Sequence, residues 1–438
     1  MSFQDILGQL PLLKSYTHVL LCFSLPDTER DPVLDALRSA TKRLVAAFPF
    51  LAGTVIHTDI GEGNSGTFTV DFDPDSNNGR INQILQIKDL ASVLPPYSTI
   101  RAAHAPPSML PGSLVAPPRP AFPQRYTDAT APVLEIQASL VSGGLLLTIA
   151  AQHNIIDATG IFYIAHLLSR LMDADAHPNP IPHADLLLGN CDRQHLTPLL
   201  PPGEPLPREL DVFTRPYPKP LDQETLSQFS WSLLHFPPES VQAIHAEGNA
   251  NPADFVDGVK EVSVNDALTA FCWQRLTLVR ASLRKPQSSP LSNPPLPPDE
   301  LEKGVEKGVE KEEETTQLTR ATDLRRPMSL TPSYMGHMVR TSNLRLPTAK
   351  VLTSSLSHLA SLLRQTVSAH TTSHSIRSYA TLLSRTRDKS RILYAGEFNP
   401  LTDFSCSSVA HVAMPRFGAD LGSPDYVRRP TFGVLPGG

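Results

Sequence analysis

Residues 143–172 constrain the fold of this chain more than any other segment. They begin with a leucine-rich run, GGLLLTIAAQ, which is typical of a buried strand. The run is followed by HNIIDATG and then by apolar residues at helical spacing, namely Ile161, Ile164, Ala165, Leu168 and Leu171. A buried strand that leads directly into a buried helix predicts a fold of the α/β class.

The polar loop between this strand and helix contains His153 and Asp157. A neutral imidazole accepts a proton from a hydroxyl at cellular pH, which makes His153 a candidate general base. Asp157 can orient that histidine, or it can cap the helix that begins near Ala158 and bind an arginine. Its place immediately before the helix favours the second role. From the spacing alone, a structural histidine beside a capping aspartate is the commoner arrangement.

Composition excludes several classes of function. The chain has 438 residues, a net charge of −5 and 18% charged residues, so it offers no basic surface for nucleic acid or an anionic membrane. No stretch approaches the length needed to span a bilayer. Its four cysteines lie far apart, without a CxxC pair or metal-ligand spacing. We therefore expect a soluble cytoplasmic protein with reduced thiols and no metal site.

Length and proline distribution predict two domains. We place an N-terminal domain at residues 1–180, a proline-rich crossover at 181–222 and a C-terminal domain at 223–438. Within the last of these, residues 285–318 repeat the tetrapeptide EKGV and contain almost nothing apolar, which predicts a disordered insertion.

One glycine-rich segment resembles a nucleotide site. Residues 61–66, GEGNSG, match GxGxxG, but that motif must open a helix whose amino terminus holds a pyrophosphate. Here the flanking runs GTVIHTDI and GTFTVDFD alternate with period two. The segment is therefore predicted to be the turn of a β-hairpin.

Three further elements are predicted in the C-terminal part. SQFSWSLLHF (227–236) predicts a strand, and VLTSSLSHLASLLRQTV (351–367) predicts a single helix. Another helix begins at SVND, with Ser263 or Asn265 as its cap. Its expected buried stripe consists of Leu268, Phe271, Cys272 and Leu276.

HNIID fits the HxxxD motif of the BAHD acyltransferases, with the usual following glycine two places late, in DATG. Further landmarks occur in the same order as in that family: FPFLAGTV (48–55), NDALTAFCWQR (265–275), TDLRRPMSLTPSYMGHMV (322–339), SSVA (407–410) and FGADLGSPDYVRRP (417–430). Together they resemble the fungal trichothecene 3-O-acetyltransferase-like branch. The resemblance covers nearly all of the chain except the predicted insertion.

The resemblance implies a two-domain α/β fold of the chloramphenicol acetyltransferase type, with mixed sheets and an active-site tunnel between the domains. It implies a monomer that transfers an acyl group from acyl-CoA, most simply acetyl-CoA, to a hydroxylated small molecule. His153 is then the general base, and Asp157 points away from the tunnel toward Arg325. A less favoured reading makes Arg325 a cofactor-binding residue. Ser407 and Ser408 fall near the expected thioester and either donate to the oxyanion or form a strand-end turn.

The sequence departs from the family pattern at several positions. His337 replaces the asparagine of YxGN, Val409 replaces a tryptophan, Arg416 replaces an aspartate, and Pro327 replaces an arginine. Family members usually continue for some tens of residues beyond VRRP, whereas this sequence ends at TFGVLPGG, which leaves an unpaired sheet edge as the expectation.

These departures leave two alternatives open. One is a non-catalytic protein of the same fold that binds CoA or another ligand. The other is a condensation-type acyltransferase that takes its acyl group from a carrier protein. Such enzymes prefer HHxxxDG, and Gln152 precedes His153 here.

Overall fold

Mixed β-sheets and surrounding helices form the protein, as seen in a computed structural model. The structure describes residues 2–73, 81–121, 130–173, 180–214, 222, 224–225, 229–284, 314–410 and 412–432. The strands are β1 (Tyr16–Ser24), β2 (Thr54–Gly61), β3 (Asn64–Asp71), β4 (Leu85–Asp89), β5 (Thr130–Pro132), β6 (Leu134–Val141), β7 (Gly144–Gln152), β8 (Thr315–Asp323), β9 (Val339–Pro347), β10 (Phe404–Cys406) and β11 (Tyr426–Arg428). The helices are α1 (Arg30–Ala47), α2 (Ile81–Ile84), α3 (Tyr97–Ala102), α4 (Gly112–Val115), α5 (Ala158–Met172), α6 (His183–Gly189), α7 (Pro238–Gly248), α8 (Val264–Arg284), α9 (Thr348–Thr353), α10 (Leu356–His370), α11 (Ser373–Arg385) and α12 (Gly418–Leu421).

The largest sheet has five strands in the order β11-β1-β7-β6-β4. It is mixed, because β4 runs parallel to β6 while the other neighbours are antiparallel. Every residue of β6 and β7 is buried. The core that includes α1 and α5 lies on one face, and residues of α3 and α4 such as Tyr97 and Val115 lie on the other. Coverage of both faces explains why β7 reads as a continuous apolar run, and the predicted buried strand is confirmed.

The second sheet has the order β10-β8-β9, with β10 parallel to β8 and β9 antiparallel to it. Helix α8 packs beside α7 and α10. Trp273 of α8 is fully buried, and its indole N–H donates to the Thr316 hydroxyl of β8 at 3.1 Å. This contact fixes the helix layer against the strand that leads into the TDLRR segment.

A third sheet, β3-β2-β5, contains the predicted hairpin. Strands β2 and β3 pair from Thr54↔Asp71 to Gly61↔Asn64, with Gly63 at φ 64° in the turn between them. Because glycine adopts a left-handed conformation without steric cost, it suits this position. The hairpin prediction is confirmed, and the GxGxxG match does not open a helix.

The end of the described chain returns to the large sheet. Strand β11 pairs with β1 through Leu20↔Arg428, Leu21↔Val427 and Cys22↔Tyr426, and it is the edge strand of that sheet. The proposed domain boundaries stay a prediction. Within the described residues, no helix is both long enough and apolar enough to cross a bilayer.

One predicted strand and one predicted boundary are wrong. Residues 229–236 form no strand, and residues 227–228 lie outside the described part of the chain. Trp231, Leu233 and Leu234 are each more than one-third exposed. An alternating pattern forms a strand only where a neighbouring strand offers pairing, and here none does in the described structure. The predicted insertion also extends too far, because residues 315–318 belong to β8; residues 285–313 lie outside the described residues.

The predicted buried stripe of α8 is also wrong. Ala267, Ala270 and Trp273 form the buried face, whereas Leu268 and Phe271 are only partly buried. Apolar residues occur on several sides of this helix, so helical spacing alone did not identify the buried side, and the prediction favoured the larger apolar residues. The small alanines face inward because they allow close approach of α7, whose Gly248 lies against Ala267.

The helix predicted over 351–367 is two helices, α9 and α10. The chain breaks at Ser354 and Ser355, where Ser355 adopts an extended conformation and its side chain accepts a hydrogen bond from the His358 N–H at 3.2 Å. A serine N-cap begins a new helix here, and it competes with continuation of the preceding one.

Candidate active site

The loop that follows β7 is held by hydrogen bonds to the N-terminal segment. The backbone N–H of His153 donates to the Ser15 carbonyl at 2.8 Å. Asn154 is fully buried, and its amide donates to the carbonyls of Gly8 and Leu10, the latter at 2.9 Å. Its own N–H donates to the Gln152 side chain at 2.8 Å. These bonds satisfy the polar groups of a buried loop and fix the backbone from which the imidazole projects.

His153 lines a cavity of about 710 Å³ to which residues from both halves of the chain contribute. Its Nδ1 is buried while Nε2 is not, so Nε2 is the nitrogen that is open to the cavity, and the backbone of Ile156 also interacts with the ring. Burial, reinforced by the neighbouring His337, lowers the pKa of His153 to about 3. The imidazole is therefore neutral, and able to accept a proton, throughout the neutral pH range.

Asp157 lies at the N-cap of α5, where its carboxylate accepts hydrogen bonds from the backbone N–H groups of Gly160 and Met338, both at 2.9 Å. Its two oxygens also accept from the Arg325 guanidinium at 2.8 and 2.9 Å. Burial raises the pKa of Asp157, but the charge and hydrogen bonds of Arg325 outweigh it and hold the pKa below its usual value. The carboxylate is directed to these groups and not to the His153 imidazole.

Arg325 links Asp157 to the segment that precedes β9. Its guanidinium donates to the carbonyls of Tyr334 at 2.9 Å and Gly336 at 2.8 Å. The side chain is 3% exposed. The structure thus contains the Asp157–Arg325 pair that the resemblance implies. The guanidinium N–H groups of Arg325 donate to carboxylate and carbonyl oxygens of the protein. Because these donors are already used, little of the guanidinium is left to bind a cofactor.

Ser407 and Ser408 follow β10 and line the same cavity as His153. Ser407 is exposed, and Ser408 is partly buried with its hydroxyl accepting from the Ala410 N–H at 3.4 Å. Val409, which takes the position of the family's tryptophan, also lines the cavity and packs against the main core. The fold therefore brings the predicted histidine and serines to one space.

The cavity has a cationic lining that the sequence analysis missed. Four arginines and the carboxylate Asp323 contribute to it, the arginines being Arg320, Arg326, Arg364 and Arg429. Arg320 and Arg364 both pair with the buried Asp266 of α8. Asp266 also completes a capping box with Ser263, whose hydroxyl accepts from the Asp266 N–H at 3.2 Å. The Ser263 spacing indicated the cap, but no sequence signal indicated the arginines.

A second cavity of about 450 Å³ adjoins the first and shares Thr159, Asp323 and Arg326 with it. Tyr163, Leu330 and Pro332 contribute to its lining. Two adjoining spaces that meet beside the start of α5 provide room for two ligands.

His337 is another functional candidate that the sequence analysis missed. The sequence marked it only as a departure from the family pattern, whereas the structure places its ring centroid 5.1 Å from that of His153. His337 is fully buried, and its Nδ1 lies 2.9 Å from the His153 carbonyl oxygen. Nothing in the local sequence indicates this pairing, because the two residues are far apart along the chain.

Comparison with known proteins gives a consistent result. Residues 15–171 match the family model described as the trichothecene 3-O-acetyltransferase-like N-terminal domain. The O-acyltransferase pigD of Monascus ruber is 38% identical, over 98% of this chain and 88% of that protein. The crystal structure of Fusarium sporotrichioides TRI101 complexed with coenzyme A and T-2 superposes with a TM-score of 0.79 at 27% identity, covering 99% of this chain and 89% of that one.

The fold and the sequence similarity define an acyltransferase of mixed α/β architecture. The chain belongs to the trichothecene 3-O-acetyltransferase-like family. The expected fold class and the resemblance to this branch of the BAHD acyltransferases are confirmed.

Proposed function

We propose that this protein transfers an acyl group, most simply acetyl, from acyl-CoA to a hydroxyl of a small secondary metabolite, with His153 as general base. The observation that carries the proposal is a neutral, partly buried histidine whose Nε2 is open to a cavity shared by both halves of the chain. That arrangement suits proton removal from a bound hydroxyl.

The reaction needs one proton-transfer group. His153 Nε2 takes the hydroxyl proton as the acceptor oxygen forms a bond to the thioester carbonyl carbon. The tetrahedral oxyanion then collapses, the carbon–sulfur bond breaks, and the protonated imidazole returns the proton to the departing thiolate. The products are an ester and free CoA. No covalent bond to the enzyme is required, and Asp157 contributes by holding the loop and helix start in place.

Ser407 and Ser408 are proposed to stabilise the oxyanion, because both hydroxyls line the cavity that contains His153. Removing one donor aimed at the developing charge costs about a hundred- to a thousandfold in kcat. Ser407→Ala and Ser408→Ala are therefore expected to lower kcat while leaving KM for the acyl donor nearly unchanged. Unchanged kcat in both single variants and in the double variant would show that the segment is only a strand-end turn.

The charge and size of the cavities support CoA as the acyl donor. Guanidinium groups bind phosphate oxygens with fork geometry, and Arg326 is exposed at the point where the two cavities meet. The related TRI101 structure contains coenzyme A together with T-2. A phosphorylated donor on one side and a hydroxylated acceptor on the other would both reach the imidazole.

The relatives support a fungal secondary metabolite as the acceptor. They include the O-acetyltransferase epaC of Aspergillus niger, 31% identical over 99% of this chain and 87% of that protein. The proposal further includes a monomeric, cytoplasmic enzyme. Light scattering after size-exclusion chromatography tests the oligomeric state, and a dimer would overturn that part of the proposal.

The decisive experiment measures thiol release from acetyl-CoA by the full chain with a panel of hydroxylated fungal metabolites. We expect ester formation, verified by mass spectrometry, that depends on both the acceptor and acetyl-CoA. Thermal stabilisation by CoA without turnover on any acceptor would favour the non-catalytic alternative. Transfer only from a phosphopantetheinyl carrier protein would favour the condensation-type alternative.

A further inference from the structure

The imidazoles of His153, which is partly buried, and His337, which is fully buried, lie side by side, and some of their nitrogens have no hydrogen-bond partner among the described residues. Nδ1 of His337 lies 2.9 Å from the His153 carbonyl oxygen, which accepts hydrogen bonds only. Nδ1 of His337 therefore carries a proton. Two nitrogens of the pair, Nε2 of His337 and Nδ1 of His153, are buried without a partner among the described residues. The ring centroids are 5.1 Å apart.

The protonation states of the two rings follow from their surroundings. Burial lowers the pKa of His337 despite the nearby carboxylates of Asp157 and Asp5, so the imidazole is neutral. A neutral imidazole with its proton on Nδ1 has an unprotonated Nε2, which is a hydrogen-bond acceptor. His153 requires a hydrogen-bond acceptor, not a donor. If its Nε2 is to accept a proton from the cavity, its Nδ1 must carry the ring proton, and the acceptors beside the ring are the backbone of Ile156 and Nε2 of His337.

We propose that His337 is a positioning residue for the reaction: its Nε2 accepts a hydrogen bond from one buried water, which in turn accepts the Nδ1–H of His153 and holds that ring in the tautomer with Nε2 free. This inference rests on the proposed role of His153 as general base. One bridging water then satisfies both buried nitrogens, and an unpaired buried polar group is costly. A bridging water would have polar partners on both sides, as buried waters require.

The backbone around His337 is fixed well enough to serve this purpose. The His337 N–H donates to the Asp5 carboxylate at 2.9 Å, and Asp5 also accepts from the Tyr334 hydroxyl. The next N–H, that of Met338, donates to Asp157 at 2.9 Å. Two buried carboxylates from different parts of the chain therefore hold consecutive amides. These bonds fix the backbone that carries the His337 imidazole.

The family pattern has asparagine at this position, which supplies a matched pair of test variants. In His337→Asn, the amide N–H can still donate to the His153 carbonyl, but no atom occupies the Nε2 position. In His337→Gln, the longer side chain places an amide oxygen near the former Nε2 and restores an acceptor. Loss of the partner that orients a metal-bound histidine costs about 10- to 100-fold in activity, and we take that factor as the scale for His153. We expect His337→Asn to lower kcat by that factor with little change in KM, and His337→Gln to retain more of the activity.

The direct readout is the tautomer of His153, measured from the imidazole ¹⁵N resonances of protein labelled with [¹⁵N]histidine and assigned by comparison with His153→Gln. In the wild type at neutral pH, we expect Nδ1 to carry the proton and Nε2 to be unprotonated. In His337→Asn, we expect a mixture of tautomers. A wild-type His153 that already carries its proton on Nε2 would overturn the inference, as would a His337→Asn variant with an unchanged tautomer.

This readout does not depend on turnover. If no acceptor is acylated, the function proposed above fails, but the tautomer of His153 still reports whether His337 orients it. If His337→Asn does not fold, the wild-type spectrum and the His337→Gln variant remain decisive. The converse result is an enzyme that is active while both His337 variants match the wild type in kcat and in the tautomer of His153. That result would support the proposed function and exclude the positioning role of His337.

Discussion

His153→Ala is expected to lower kcat for acyl transfer by at least about a hundredfold and as much as about ten-thousandfold. The reason is that His153 lines the cavity and that burial keeps its imidazole neutral, so that it can accept a proton. Removing it takes away the neutral imidazole that is proposed to accept the proton of the acceptor hydroxyl. The measurement is initial rate of thiol release at saturating acetyl-CoA, with the variant's melting temperature recorded to establish that it is folded.

A surface histidine provides the matched control. His374 lies at the start of α11, its side chain is 60% exposed, and its Nδ1 lies 3.7 Å from the carboxylate of Glu204. His374→Ala should therefore leave kcat and stability within experimental error. A His153→Ala enzyme as active as His374→Ala would exclude His153 as the base.

The pH dependence gives an independent check on the same residue. The base is active when unprotonated, and the pKa of His153 is about 3 because of burial and the neighbouring His337. Activity should consequently persist as the pH falls through 6.5, the ordinary value for histidine, for as long as the protein remains folded. A loss of kcat/KM near pH 6.5 that is independent of unfolding would show that the imidazole is better solvated than this structure places it.

The parts of the site that are local in sequence were predictable, and those assembled from distant segments were not. The strand–loop–helix unit of residues 143–172 was correctly predicted because period, polarity and an N-cap all lie within one short segment. The Asp157–Arg325 pair was accessible only through family resemblance, since its partners are 168 positions apart. The contact between His337 and His153, 184 positions apart, could not be predicted from the family resemblance, because the family has asparagine at the position of His337.

The errors in the fold have the same origin. Whether an alternating segment becomes a strand depends on a neighbouring edge, which residues 229–236 do not have in the described structure. Whether an alanine or a leucine of α8 faces inward depends on how closely α7 approaches. Local pattern specifies which residues are apolar, but the packing partner decides which of them is buried.

The largest expected effect on stability comes from Arg325→Met. This change leaves Asp157 charged, buried and without its bidentate partner, and breaking a buried pair in this way costs about 3–5 kcal/mol in the free energy of unfolding. It also removes the donors to the carbonyls of Tyr334 and Gly336, which anchor the segment that carries His337. Urea denaturation measures the loss. The urea midpoint of the variant is compared with that of the wild type, on the condition that the slope of unfolding free energy against urea concentration is the same for both.

The control for Arg325→Met is an exposed pair of the same chemical type. Arg38 and Asp35 approach to 2.7 Å in α1, but their side chains are 51% and 75% exposed, so Arg38→Met should change stability very little. In the double variant Asp157→Asn/Arg325→Met the uncompensated charge is gone, and part of the loss should be recovered. Equal midpoints for Arg325→Met and Arg38→Met would mean that Asp157 is stabilised without Arg325. The amides of Gly160 and Met338 would then have to suffice, and the link between α5 and the His337 segment would be dispensable.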